Sequence, residues 1–286
     1  MPIECVVLDL DGTLTDVARE APPFLEAFPS LVADLLGRDV GPAWQDADRR
    51  VREGSPELAW VMDGHAVAPA DADPYVRASC VAQVLLDEAG VLVSDPSLRS
   101  EVISAIYRRA YRDTAAVFRR EAREVVEALL GLGVAVRLVT NAATDVASAK
   151  LARLTPEGAG RVRVRGDARK FRVGPAARSD ARFLAVPDRV QLPGLARPVL
   201  LGRGSYFDIL AALWDETGAS PETTLVCGDI FEMDLALPAA LGAEVHLVRR
   251  ERTYAYELDA IAALGVRGGV SDDLRALPAR VAEGVF

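Results

Sequence analysis

The sequence predicts an α/β protein: a parallel sheet covered on both faces by helices, with an α-helical segment inserted after the first strand. Two observations carry this. Short continuous apolar runs alternate with segments of helical period from about residue 121 onward. Between residues 17 and 120 the apolar residues recur at spacings of three and four instead.

The first run, "IECVVLD" over 3–9, is apolar at nearly every position, the pattern of a strand buried on both faces. The insert follows. "FLEAFPSLVADLLG", "PELAWVM", "DPYVRASCVAQVLLDEAG" and "SLRSEVISAIYRRAYRDTAAVF" are predicted helical, separated by loops such as "AVAPADADP" at 66–74. A helix over "EAREVVEALLGLG" then leads to a strand at 134–140, a helix near 145–154 and a short strand near 161–165. A helix at 205–217, a strand at 223–229, a helix at 232–241, a strand at 243–248 and a helix at 254–264 complete the alternation. The division expected is therefore a core of 1–16 and 121–286, with a helical insert over 17–120. Residues 171–204 carry four prolines and no helical period, and a β-hairpin or extended flap is expected there. Arg161, Arg163 and Arg165 alternate with valines, as on an edge strand with one solvated side.

Composition narrows the function. A net charge of −9 argues against non-specific nucleic-acid binding. No apolar run is long enough to cross a bilayer, and the first residues lack the basic start and apolar stretch of a signal peptide. A cytoplasmic protein with no membrane partner is expected. Cys5, Cys80 and Cys227 are scattered among apolar residues and read as reduced core residues. His65 and His246 are the only histidines, too few for a multi-histidine metal site. Lysine is nearly absent: Lys150 and Lys170 stand against 31 arginines. Where arginine is the ordinary cation, each lysine invites inspection.

Ligands of parallel α/β sheets bind at the carboxyl ends of the strands. The first strand ends at Asp9, with Asp11 and Gly12 just beyond. The second core strand ends in Thr140-Asn141, Lys170 follows the third, and the fourth ends in Gly228-Asp229 with Asp234 five residues on. Each has an ordinary explanation as a cap, a turn residue or a solvated charge. Together at one sheet edge, several carboxylates, a lysine and a hydroxyl form a site suited to a divalent metal and a phosphate.

"DLDGT" after an apolar strand, then the strand-end threonine, the lysine and "GDIFEMD" resemble, in order, the four motifs of the haloacid dehalogenase superfamily. The resemblance implies a Rossmann-like core, a helical cap in place of the insert, and most often Mg2+-dependent phosphate hydrolysis. It makes Asp9 the nucleophile that forms an aspartyl-phosphate, and Asp11 the group that protonates the leaving oxygen and later takes a proton from water. That second role calls for a carboxyl pKa raised towards neutrality, as neighbouring carboxylates would provide. Gly12 permits a tight turn and close approach to phosphate. Thr140 and Asn141 would bind phosphate oxygens, and Lys170 would hold the phosphoryl group and the nucleophile. Asp9, Asp229, Asp234 and the backbone carbonyl of Asp11 would ligate Mg2+. Lys150 lies ten residues beyond Thr140 within a helix, and the family's spacing favours Lys170 as the motif lysine.

Dehalogenases of the superfamily lack the second aspartate, which is present here as Asp11. Phosphonate-cleaving members use a cap lysine, and residues 17–120 contain none. The expected function is hydrolysis of a small phosphorylated metabolite by an HAD-type phosphoric monoester hydrolase. A phosphomutase using the same site, and a non-enzymatic phosphate- or partner-binding regulator, are the alternatives. Trp44, Arg49, Arg52, Trp60 and His65 could contact a leaving group, but packing and solvated helix faces account for them more simply.

Overall fold

The computed structural model describes residues 1–112 and 114–283; the last three residues of the expected 121–286 span lie outside it. The chain forms two compact units, 1–16 with 118–286, and 17–117. In chain order the first unit contributes β1 (Cys5–Leu8) before the second begins. The second unit holds α1 (Val17–Glu20), α2 (Pro22–Leu36), α3 (Gly41–Gly54), β2 (Ala59–Met62), β3 (His65–Pro69), α4 (Pro74–Glu88) and α5 (Pro96–Tyr111). The first unit resumes with α6 (Ala122–Gly131), β4 (Ala135–Val139), α7 (Thr144–Leu154), β5 (Arg163–Arg165), α8 (Ala181–Leu184), β6 (Arg189–Val190) and β7 (Val199–Leu200). It closes with α9 (Gly204–Thr217), β8 (Thr224–Gly228), α10 (Ala236–Ala240), β9 (Glu244–Val248), α11 (Ala255–Ala262), β10 (Gly268–Ser271) and α12 (Ala276–Glu283).

Six parallel strands form the core sheet in the order β10-β9-β8-β1-β4-β5. This is the doubly wound Rossmann-type order, in which the connections run outward in both directions from the central strand. The unbroken apolar run of β1 follows from its place. Cys5 and Val7 pack on one face with Tyr206, Phe207 and Leu210 of α9. Val6 and Leu8 pack on the other with Val125 and Leu129 of α6, Leu151 of α7 and Leu277 of α12. A central strand with both faces covered has no polar side to show. At the rim the pattern relaxes: β5 is an edge strand, with Arg163 and Arg165 exposed.

The other edge strand, β10, is half-buried "GGVS", and its lack of an apolar run explains why the alternation in the sequence stops before it. In the 171–204 segment, β6 and β7 pair antiparallel. The three cysteines are free and buried. Among the described residues no helix is long and apolar enough to cross a membrane.

Within the second unit one expected helix is corrected. Residues 59–62 of "PELAWVM" form β2, paired antiparallel with β3. Asp63 and Gly64 between them have φ of 50° and 78°. An Asp-Gly pair with both φ positive is the preferred two-residue hairpin turn, and Trp60-Val61 suits a strand. The apolar spacing alone does not announce α3, which buries only Ala47 and Val51. Ion pairs at i,i+4 line its exposed side, Asp46–Arg50 at 3.1 Å and Asp48–Arg52 at 2.8 Å. Arg49 likewise pairs with Asp46, and Trp44 packs edge-on against Phe28. His65 is exposed and Trp60 partly buried, both on the hairpin.

Candidate active site

The core sheet changes winding direction between β1 and β8, so their carboxyl ends border the crevice where such sheets bind ligands. Asp9 follows β1 and Asp229 follows β8. The Asp9 N–H donates to the Cys227 carbonyl at 2.9 Å, extending the β1–β8 ladder to Asp9. A π-helical turn over Phe231–Leu235 then brings Asp234 back to the same place. Its Oδ2 accepts the Ile230 N–H at 3.0 Å, which fixes the carboxylate. Oxygens of Asp9, Asp229 and Asp234 lie within 4.8 Å of one another, and all three residues are buried.

Lys170 brings a positive charge into direct contact with two of these carboxylates. Its ammonium donates to Asp9 Oδ1 at 2.7 Å and Asp234 Oδ1 at 2.9 Å, at 1 % side-chain exposure. Burial alone would lower the lysine pKa; Asp234 and Asp9 more than offset that, and the net direction is upward. Burial pushes the Asp9 carboxyl up to about 7, Lys170 opposes, and Asp234 and Asp11 add to the rise. Three clustered carboxylates facing one ammonium leave a negative excess that a divalent cation would neutralise.

The backbone makes room for that cluster. Gly12 has φ of +90°, and a Cβ there would lie 2.4 Å from Asp229 Oδ2. A Cβ at Gly228 would lie 2.4 Å from that of Asp234. The oxygen-only donor set and the glycine-lined cradle fit a hard cation such as Mg2+.

Thr140 is 1 % exposed beyond β4. Its hydroxyl oxygen accepts the Ala142 N–H at 3.2 Å. The Asn141 side-chain oxygen accepts the Lys170 N–H at 2.8 Å, so this residue secures the backbone of the lysine.

Several neighbours were not singled out by the sequence. Arg203, 0 % exposed, donates to the Lys170 carbonyl and to the Leu200 carbonyl at 3.1 Å. Burial lowers its pKa to about 10. The Tyr206 hydroxyl donates to the Asp234 carbonyl at 3.0 Å, and its ring centroid lies 5.5 Å from the Lys170 ammonium. Arg250 donates to the Asp229 carbonyl and pairs with Glu257 at 2.7 Å. Arg119 donates to the Gly12 carbonyl at 2.9 Å. These three arginines are indistinguishable in sequence from the 28 others.

Lys150 differs from the simple expectation of a helix residue apart from the chemistry. It lies on α7, 6 % exposed, and its ammonium donates to Asp11 Oδ1 at 2.6 Å. The immediate partner of Asp11 is thus an ammonium, where the sequence suggested other carboxylates. Both lysines of the chain therefore end on the aspartates that follow β1, and their scarcity was the available signal.

The family model for haloacid dehalogenase-like hydrolase matches residues 3–242. No curated protein matches the chain. Among solved structures, a Thermotoga maritima protein assigned as a beta-phosphoglucomutase is 15 % identical with a TM-score of 0.53, covering 98 % of this chain and 99 % of its own. A Haemophilus somnus protein assigned as a phosphoglycolate phosphatase is 16 % identical with a TM-score of 0.53, covering 95 % of each chain. A hydrolase from Pseudomonas syringae is 16 % identical with a TM-score of 0.51, covering 99 % of each. At these identities the likeness is one of fold. The family match spans most of the chain and includes every strand-end residue described above, so this protein belongs to the haloacid dehalogenase-like hydrolases.

Proposed function

We propose that this protein is a Mg2+-dependent phosphatase that hydrolyses a small phosphorylated metabolite through an aspartyl-phosphate on Asp9. The supporting observation is the buried group of Asp9, Asp229, Asp234 and Lys170 at the switch point of the sheet, with Asp11 two residues from Asp9. Mg2+ held by Asp9, Asp229, Asp234 and the Asp11 carbonyl would offset the repulsion between the carboxylates and an anionic phosphate.

A carboxylate oxygen of Asp9 attacks phosphorus. The new O–P bond forms as the bond to the ester oxygen breaks, and that oxygen takes a proton from Asp11. Water then attacks the phosphorus and gives a proton back to Asp11. The bond to Asp9 breaks, releasing inorganic phosphate and restoring both side chains. Lys170 remains beside Asp9 and stabilises charge on the phosphoryl oxygens. The Thr140 hydroxyl accepts from Ala142 N–H, so its own proton is available to a phosphate oxygen. Asn141, its side-chain oxygen held by Lys170 N–H, can offer its amide N–H groups in the same way.

Purified protein with Mg2+ is expected to release phosphate from an aryl phosphate and from members of a panel of phosphorylated metabolites, and Asp9→Asn to abolish release. Absence of turnover on the whole panel would remove the phosphatase reading.

A further inference from the structure

We propose that Lys150 is a positioning residue for Asp11: by holding Oδ1 it directs Oδ2 as the oxygen that exchanges protons with the leaving group and water. This rests on the proton-transfer role proposed above for Asp11.

The Lys150 ammonium lies 2.6 Å from Asp11 Oδ1, with side-chain exposures of 7 % for the lysine and 31 % for the aspartate. The asymmetry matters. Asp11 sits in a turn open to solvent, where a carboxylate would sample several rotamers. Lys150 comes from a helix whose other buried residues, Ala147, Leu151 and Leu154, anchor it against the sheet. A rigid helix therefore delivers a donor to a carboxylate on a loop. An ammonium binds one oxygen as a point charge, whereas a planar guanidinium tends to engage both. A lysine here thus distinguishes Oδ1 from Oδ2. The other lysine of the chain makes the corresponding contact with Asp9 Oδ1. The two aspartates that follow β1 are thereby each held by a separate lysine.

A half-buried ion pair that only ties α7 to the loop would affect every substrate alike. A positioning role acts through proton donation, which matters most when the leaving group is a poor one. The test is kcat/KM, which reports the steps through departure of the leaving group, for p-nitrophenyl phosphate and for an alkyl phosphate. In Lys150→Met the loss is expected to be about a hundredfold greater for the alkyl ester. Lys150→Gln, which retains a donor, is expected to recover part of that difference and serves if the methionine variant does not fold. Equal losses on both esters would overturn the proposal. A crystal structure of the variant gives a readout independent of turnover. Asp11 is expected to leave its wild-type rotamer; an unmoved carboxylate would also overturn the proposal. Should the wild-type protein lack phosphatase activity, the reading of function fails, and this crystallographic comparison still decides whether Lys150 positions Asp11.

Discussion

The Lys170 ammonium lies 2.7 Å from Asp9 Oδ1, and both groups are buried. The same ammonium holds Asp234 at 2.9 Å, so a single lysine secures a carboxylate from each side of the switch point. Removing it leaves buried carboxylates unpaired. Lys170→Met is expected to lower stability by about 3 kcal/mol in metal-free buffer, measured by urea unfolding. An unchanged unfolding midpoint would contradict the pairing.

The excess negative charge of the cluster predicts metal-linked stability. At a hundred times its Kd, Mg2+ is expected to stabilise the protein by about 2.7 kcal/mol, and chelation to reverse this. Asp229→Asn should remove most of the increment, read as the Mg2+ dependence of thermal unfolding. Wild-type unfolding that ignores Mg2+ would show that the carboxylates do not bind it.

Gly12 tests the cradle. An alanine there would combine φ of +90° with a Cβ 2.4 Å from Asp229 Oδ2. Gly12→Ala is expected to cost about 2 kcal/mol or more and to weaken Mg2+ binding by displacing Asp229. Calorimetric titration with Mg2+ distinguishes this from a simple loss of stability.

His246 on β9 is 2 % exposed, and its Nε2 lies 2.7 Å from Ser271 Oγ. Burial, with a smaller contribution from Arg280, lowers its pKa from 6.5 to about 4. Its neutral form is therefore favoured in the folded state, and the unfolded chain takes up the proton first. Its contribution is full above pH 6.5 and declines as pH falls towards 4. Between these values the wild-type protein is expected to lose about 3 kcal/mol more than His246→Gln. Parallel stability curves for the two proteins would contradict this.

What the sequence revealed was local. Asp9, Gly12 and Asp229 stand at the ends of apolar runs, and strand-end placement follows from the runs themselves. The scarcity of lysine pointed to Lys150 but not to its partner, because it meets Asp11 across 139 residues and its approach depends on the rotation of α7 about its axis. Arg203 and Tyr206 were hidden for a related reason. They follow an irregular segment, and only the folded chain brings them beneath Lys170 and Asp234. The β2–β3 hairpin had a local marker in Asp63-Gly64, but the spacing of Leu58 and Val61 also satisfied a helix.

The central claim is that Asp9 carries the phosphoryl group. Acid-quenching the Mg2+-loaded protein during turnover of an aryl phosphate, followed by peptide mass spectrometry, tests it directly. One phosphoryl group is expected on the peptide containing residues 6–16, placed at Asp9 and missing in Asp9→Asn. A phosphoryl group on a different residue, or turnover without any phosphorylated peptide, would contradict the account.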